Sequence, residues 1–162
     1  MTGDHQDSRW KPFLRPLLLA GLVAGTLDLV AAIAVNLPRD IPPIRILQSI
    51  ASGLLGRDAY TGGMATAVLG TALHFGMMFV IAAVFLAASR QLQVLRRHWM
   101  ASGVLYGIGV YVVMNYIVLP LSAFPHERAS DLSRIAAQVL IHMSLVGLPI
   151  AWIAKRDPSG QA

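Results

Sequence analysis

The sequence contains no cysteine and few charged residues. Without cysteine the chain can form no disulfide, no thiolate nucleophile, no cysteine-ligated zinc site and no iron–sulfur cluster. Charged residues make up 13% of the 162 residues, whereas soluble domains carry about 25%. Hydrophobic residues make up 56%. Because this leaves too little polar surface to cover a water-soluble globule of this length, the composition indicates a membrane protein.

The sequence also lacks the short motifs that identify common enzymes and nucleic-acid-binding proteins. It has no H-E-x-x-H, no G-x-S-x-G, no P-loop, and no pair of carboxylates within one apolar segment. The net charge is +5, but the basic residues stand at the ends of apolar segments and do not alternate with aromatic residues. We therefore expect anionic lipid headgroups, and not nucleic acid, as their partners, and we expect no enzymatic activity.

Four long apolar segments are each able to cross the hydrocarbon core as one helix, which takes roughly 20 residues. They cover about residues 17–37, 64–89, 99–121 and 132–154. A helix satisfies its own backbone hydrogen bonds, as lipid requires. The sequence therefore predicts an all-α membrane protein, a bundle of four transmembrane helices. It forms one domain over residues 17–154, between tails at residues 1–16 and 155–162.

The first apolar segment could instead be a cleaved signal peptide, because basic residues precede it and Ala32-Ile33-Ala34 lies near its end. The segment is longer than the apolar region of a signal peptide, which has roughly 7–15 residues. Asp28 also interrupts it. We therefore expect the segment to be retained as the first span.

The distribution of Lys and Arg predicts the orientation in the membrane. The N-terminal tail, the loop between spans 2 and 3 and the C-terminal tail together carry eight of these residues, and the two other loops carry five. Because loops on the cytoplasmic side carry the excess of Lys and Arg, both termini are predicted to lie in the cytoplasm.

The loop between spans 1 and 2 contains a short amphipathic segment over about residues 44–56, after Pro42-Pro43. Ile44, Leu47 and Leu54 recur at helical spacing, and the polar side chains fall largely on another face. This pattern predicts a helix of about three turns that is too short to span the bilayer. It would lie in the outer interface or enter the membrane as a re-entrant segment.

Small residues at four-residue spacing predict close helix contacts in spans 1 and 3. The pairs are Gly21 with Gly25 and Gly103 with Gly107. Because lipid gives no hydrophobic drive for helices to associate, small residues assist by letting backbones approach. These pairs fit contacts within the chain, and equally contacts with a second copy or with another membrane protein that this chain would assist as an accessory subunit. In span 4, Pro149 predicts a kink.

Polar side chains inside the spans are the candidates for function, because each is costly in lipid. Asp28, His74 and His142 lie near the middles of spans 1, 2 and 4, and at about 1.5 Å per residue they fall at similar depth. Asn115 in span 3 lies about two turns toward the outer side. We expect all four to point into the bundle. They would either fix the packing by hydrogen bonds or serve proton-linked transport or small-ligand binding.

The same positions bear on cofactor binding and on access to the bundle. We predict no cofactor and no metal site, with a haem ligated by His74 and His142 across the bundle as the alternative. The candidates for an outer entrance are Asn36, Gln48, His126 and Gln138.

The order of features along the chain carries a family resemblance. A glycine-rich first span precedes Pro42-Pro43-Ile44-Arg45 and the amphipathic segment, and the second span carries a histidine. Leu119-Pro120-Leu121-Ser122 ends the third span, and Ile141-His142-Met143 lies in the fourth. Over about residues 17–154 this order resembles a group of small bacterial inner-membrane proteins without an assigned function and, more remotely, the YagU-like family. The resemblance implies a bacterial inner-membrane location and assigns no functional residue.

Overall fold

The computed structural model describes residues 4–125 and 131–157, with side chains described from residue 13 onward. All of the regular elements in these residues are helices. They are α1 (Asp4–Asn36), α2 (Pro43–Leu55), α3 (Gly63–Gln91), α4 (Gln93–Arg97), α5 (Trp99–Leu121) and α6 (Leu132–Arg156), with short 3₁₀ turns at Leu37–Arg39 and Gly56–Tyr60.

Four of these helices are long and apolar enough to span a membrane, which confirms the predicted four-helix architecture. The spans are Phe13–Arg39, Gly63–Gln91, Trp99–Leu121 and Leu132–Arg156. Large apolar side chains face outward along them, such as Val68 at 62% and Leu105 at 68% exposure. An outward apolar surface of this kind is expected where the surroundings are lipid.

Helix α1 begins before the apolar segment of the first span. Its backbone is helical from Asp4 onward, so most of the predicted tail over residues 1–16 continues the helix of that span. The predicted boundary followed the apolar character of the sequence, which begins after Pro16. A helix can continue beyond that point, because polar residues outside the lipid also satisfy their backbone hydrogen bonds within a helix.

The packed core lies in the half of the bundle that carries both termini, which we call the terminal end. Helix α1 packs on α3 and on α6, and α5 packs on α6. Leu86 of α3 and Val146 and Ile150 of α6 are fully buried at the centre of this core. An ion pair between the Arg90 guanidinium and the Asp157 carboxylate, 2.9 Å apart, closes the terminal end.

The predicted small-residue pairs make their close contacts within the chain. A Cβ atom added at Gly107 would collide with the carbonyl of His142, and one added at Gly103 would lie 2.9 Å from the carbonyl oxygen of Gly147. The backbones of α5 and α6 therefore touch along this line. Gly21 and Gly25 of α1 lie in the same way against aromatic side chains of α3. Association with a partner through these glycines remains a prediction.

Helices α5 and α6 each contain a π-helical turn just before a proline. The turns cover Met114–Val118 before Pro120 and His142–Gly147 before Pro149. Proline lacks an N–H, and its ring crowds the carbonyl four residues earlier, so a wider turn at that point relieves the crowding. The distortion predicted at Pro149 therefore takes the form of a π turn that begins at His142.

Helix α2 lies across the other end of the bundle, which we call the α2 end. Its bounds, Pro43–Leu55, agree with the predicted segment to within one residue. The Gln48 amide, 3% exposed, donates to the carbonyl of Gly63 at 3.0 Å and so ties α2 to the start of α3. The N–H of Ala123 donates to the carbonyl of Gly53 at 2.9 Å and ties α2 to the segment after α5.

Candidate ligand-binding cavity

A cavity of about 390 Å³ lies between the four spans, directly beneath α2. Most of its lining is apolar and comes from leucine, isoleucine, valine and methionine side chains. The polar side chains that line it are Asp28, Ser49, His74, Ser122 and His142. Ligand pockets in proteins have this composition, with apolar walls and a few polar groups that fix orientation.

Helices α3 and α5 stand apart on two sides of the cavity. Among the described residues these two helices make little backbone contact. A side-chain bridge joins them lower down, where the Tyr106 hydroxyl donates to the carbonyl of Ile81 at 2.7 Å and its ring packs on Phe85. Met78, Ile81 and Val110 belong both to the core and to the cavity lining, so they form its floor.

His74 links α3 to α1 at the side of this cavity. Its Nε2 atom lies 2.8 Å from the carbonyl oxygen of Gly25, and its side chain is buried. A carbonyl oxygen can only accept, so Nε2 carries the hydrogen and Nδ1 remains an acceptor in the neutral ring. Gly25 allows this approach because it presents no side chain on the packing face of α1.

His142 satisfies its own helix. Its Nδ1 atom lies 2.8 Å from the carbonyl oxygen of Gln138, one turn earlier in α6. By the same reasoning Nδ1 carries the hydrogen, and Nε2 is the acceptor in the neutral ring. The ring also stands edge-on to Tyr111 of α5, with centroids 5.8 Å apart.

Asp28 is half-buried and lines the cavity together with His142 and His74. Unlike the two histidines, it accepts no hydrogen bond from any residue of the described ranges 4–125 and 131–157. An ionised carboxylate is an acceptor only. The Asp28 carboxylate thus lines the cavity without a hydrogen-bond donor among the described residues.

The structure gathers three of the four predicted cluster residues around one cavity and places the fourth elsewhere. Asp28, His74 and His142 line the cavity together, at the common depth that the helix rise predicts. The Asn115 amide instead donates to the carbonyl of Tyr111 in its own helix at 3.0 Å, and Asn115 is not among the described lining residues.

The predicted entrance residues have other positions. Asn36 donates to the carbonyl of Ala32 at 2.8 Å, Gln48 fixes α2 to α3, and the Gln138 side chain is exposed on α6. His126 lies outside the described residues. The α2 end of the cavity is lined by other residues, which the sequence reasoning missed: Ser49, Ile50, Gly53, Leu54, Ser122 and Phe124. The signal available was the pair Ser49 and Gly53, small residues four positions apart on one face of α2.

Haem binding stays an alternative to the predicted absence of a cofactor. No three His, Cys, Asp or Glu side chains within the described part of the chain lie close enough together to hold a metal ion. A haem between His74 and His142 would have to use Nδ1 of the first and Nε2 of the second, since the other ring nitrogens donate to backbone carbonyls. An absorbance spectrum of the purified protein tests this, because bound haem gives a Soret band.

Comparison of the chain with protein-family models, with curated proteins and with solved structures finds no match. The resemblance to small bacterial inner-membrane proteins and to the YagU-like family therefore remains a prediction from the order of sequence features.

Proposed function

We propose that the protein binds a small, mostly apolar molecule in the cavity beneath α2, with Asp28 as the polar anchor. We further propose that binding is linked to proton exchange at Asp28, His74 and His142. The observation that carries this proposal is the carboxylate of Asp28, which faces a mostly apolar cavity within the membrane spans and accepts no hydrogen bond from the described residues.

A role in packing alone accounts poorly for Asp28. Polar side chains that fix helix packing bond to a neighbouring backbone, as His74 does to Gly25. An ionised carboxylate without a partner inside a membrane costs free energy. The cost is removed only when a proton or a ligand group reaches the carboxylate. A proton and a polar ligand group compete for the same oxygen atoms of the Asp28 carboxylate. Ligand binding therefore changes the number of protons that the site holds.

The chain offers a matched pair of glycines for testing whether the cavity binds a ligand. Gly53 lines the cavity, and a Cβ atom there would meet only Ser122, at 3.9 Å. Gly53→Phe therefore fills the cavity without a backbone clash. Gly76 in α3 is exposed, and a Cβ there meets nothing within 4 Å, so Gly76→Phe makes the same change outside the cavity.

The probe is 1-naphthalenemethanol, a neutral molecule with an apolar body and one hydroxyl. Its binding to the purified protein in lipid nanodiscs is measured by calorimetry, with the heat from empty nanodiscs subtracted. We expect saturable binding to wild type and to Gly76→Phe and loss of binding in Gly53→Phe. Equal binding to all three proteins, or binding to none of them, would overturn the proposal.

A second candidate is proton-linked transport of the same ligand. It is favoured by the two π turns, since Met114, Val118 and His142 belong to these turns and also line the cavity. A π turn is a point at which a helix can change its hydrogen-bond register. In proteoliposomes that enclose a pH-sensitive dye, a gradient of a transported ligand should drive proton movement in wild type and not in Asp28→Asn. No ligand-dependent proton movement in wild type would exclude this candidate.

We also propose that the protein lies in the bacterial inner membrane with both termini in the cytoplasm. The excess of Lys and Arg near the terminal end supports this orientation. Lys155, for example, lies over the ring of Trp99 at 5.2 Å, an arrangement suited to the headgroup level. In intact cells a membrane-impermeant maleimide should label Thr61→Cys at the α2 end and should not label Gln93→Cys, an exposed position of α4 between spans 2 and 3.

A further inference from the structure

We infer that the ligand of the cavity is a lipophilic primary or secondary amine, bound in its protonated form. This inference rests on the proposed function and names the chemical class of the ligand. It is based on the hydrogen-bond acceptor to which each N–H and O–H group of the polar lining side chains donates.

Every N–H and O–H of the neutral polar side chains in the lining is directed to a backbone carbonyl. His74 donates to Gly25 and His142 to Gln138, each at 2.8 Å. The two hydroxyls behave in the same way. Ser49 donates to the carbonyl of Ile46 at 2.7 Å, and Ser122 donates to that of Leu119 at 2.8 Å.

The polar atoms left to the cavity are therefore acceptors. With Asp28 ionised and both rings neutral they are two carboxylate oxygens, Nδ1 of His74, Nε2 of His142 and the hydroxyl lone pairs. Helices α2 and α5 add no titratable side chain to the described lining. Among its described residues the lining thus offers hydrogen-bond acceptors, one negative charge and no free side-chain donor.

A ligand complements such a site when it brings donors and a positive charge. A protonated primary or secondary amine brings both, and its N–H groups make charge-assisted hydrogen bonds with a carboxylate. Carboxylates and phosphates meet only acceptors and the charge of Asp28, and their repulsion is strong in a medium of low dielectric constant. Ketones, ethers and esters find no donor.

The walls require the rest of the ligand to be apolar. Leu73, Met77, Met114 and Val118 line the sides between α3 and α5. Methionine side chains are flexible and adapt to irregular shapes, so the site suits a compact hydrocarbon or aromatic body of varied outline. A volume of about 390 Å³ lies within the range of small-molecule pockets.

Protons compete with the amine at this site. Acidification protonates the carboxylate of Asp28, which removes the negative charge and an acceptor of the amine N–H groups. Amine affinity should therefore fall as the pH is lowered, while the affinity of a neutral alcohol with the same body should change little.

The experiment uses four probes with one naphthalene body: 1-naphthylmethylamine, its trimethylammonium analogue, 1-naphthalenemethanol and 1-naphthoate. Each is titrated into wild-type protein in nanodiscs of zwitterionic lipid at neutral pH, with empty nanodiscs as the blank. We expect the amine to bind at least about tenfold tighter than the alcohol, as a charge-assisted hydrogen bond predicts. The trimethylammonium compound, which has charge but no N–H, should fall between them, and the naphthoate should not bind.

Two substitutions of the same kind locate the effect. Asp28→Asn should reduce amine affinity to that of the alcohol and leave the alcohol unchanged. Asp58→Asn, which makes the same change at an exposed position beside α2, should bind all four probes as wild type does. The order of the four probes on wild type decides the inference even if Asp28→Asn does not fold.

The outcomes separate this inference from the proposed function. Binding of the alcohol in the cavity with no preference for the amine would overturn the amine assignment and leave small-ligand binding intact. Tighter binding of the naphthoate would do the same. Binding of none of the probes by wild type would count against both.

Discussion

The imidazole of His74 donates a hydrogen bond to the carbonyl oxygen of Gly25 at 2.8 Å, joining α3 to α1 within the bundle. The contact depends on both residues. Gly25 leaves its carbonyl open on the packing face of α1, and the His74 ring also stands edge-on to Phe75, the residue whose ring lies against Gly25. This bond holds the wall of the cavity beside Asp28.

Removing the His74 bond should destabilise the bundle. We expect His74→Ala to lower the free energy of unfolding by about 1–3 kcal/mol, from the lost hydrogen bond and the lost buried ring. His74→Gln keeps a donor at this position and should lose less. Unfolding of the purified protein in mixed detergent, followed by circular dichroism, measures the difference. Equal loss in both variants would show that the ring's packing matters and its hydrogen bond does not.

Close approach of α5 and α6 at Gly107 leads to a second prediction. A Cβ atom there would collide with the backbone at His142 and Met143, so Gly107→Ala should push the helices apart at the π turn. We expect a loss of about 1–3 kcal/mol, as for overpacking in a core. Gly109→Ala is the matched control, since a Cβ at that exposed position of the same helix meets nothing within 4 Å.

The control at Gly109 predicts the direction of the stability change as well as its magnitude. Alanine favours helix over glycine by roughly 1 kcal/mol, so Gly109→Ala should be neutral or stabilising. The same unfolding assay measures both variants. A Gly107→Ala protein as stable as Gly109→Ala would show that the contact between α5 and α6 yields easily.

Helix α6 begins with a cap whose effect depends on pH. Asp131 accepts from the Ser133 hydroxyl at 2.7 Å and from the Ser133 N–H at 3.2 Å. These bonds, helped by Arg134, hold the pKa of the Asp131 carboxyl below its ordinary value. The cap therefore stabilises the start of α6 fully above the ordinary carboxyl pKa. The stabilisation is lost as the pH falls through the lowered pKa of the folded state.

Hydrogen exchange measures this cap directly. The N–H of Ile135, bonded to the Asp131 carbonyl, should lose protection as the pH is lowered below the carboxyl range, after correction for the intrinsic exchange rate. Ser133→Ala removes the hydroxyl bond and should move the loss to higher pH. Because Asp131 is exposed, the effect should be confined to the first turn of α6 and should leave global unfolding unchanged.

The depth of the candidate site could be predicted from the sequence. Asp28, His74 and His142 stand near the middles of their spans, and the fixed rise of a helix then places them at one level. The amphipathic pattern of α2 also gave its bounds closely, because a short helix at an interface must separate its polar and apolar faces.

The partners of these side chains could not be predicted, since they depend on local backbone geometry. Asn115 was expected to point into the bundle about two turns outward of the other three, but it lies in the π turn of α5 and bonds to its own helix at Tyr111. The cavity lies between α3 and α5, which make little backbone contact, and no residue pattern in either helix encodes that separation. The acceptor character of the site follows from which ring nitrogen of each histidine is occupied, a matter of ångström-scale contacts.

Because the chain has no native cysteine, a single introduced thiol can report whether the cavity is occupied. Ser122 lines the cavity, whereas Thr61 is exposed in the turn before α3. We expect 1-naphthylmethylamine to slow the reaction of Ser122→Cys with N-ethylmaleimide and to leave Thr61→Cys unaffected. The protection of Ser122→Cys by the amine should weaken on acidification. Thr61→Cys, measured at the same pH, should show no such change. Protection that persists in the Asp28→Asn background would mean that the amine is held by the apolar walls alone, because the carboxylate supplies the only negative charge among the described lining residues.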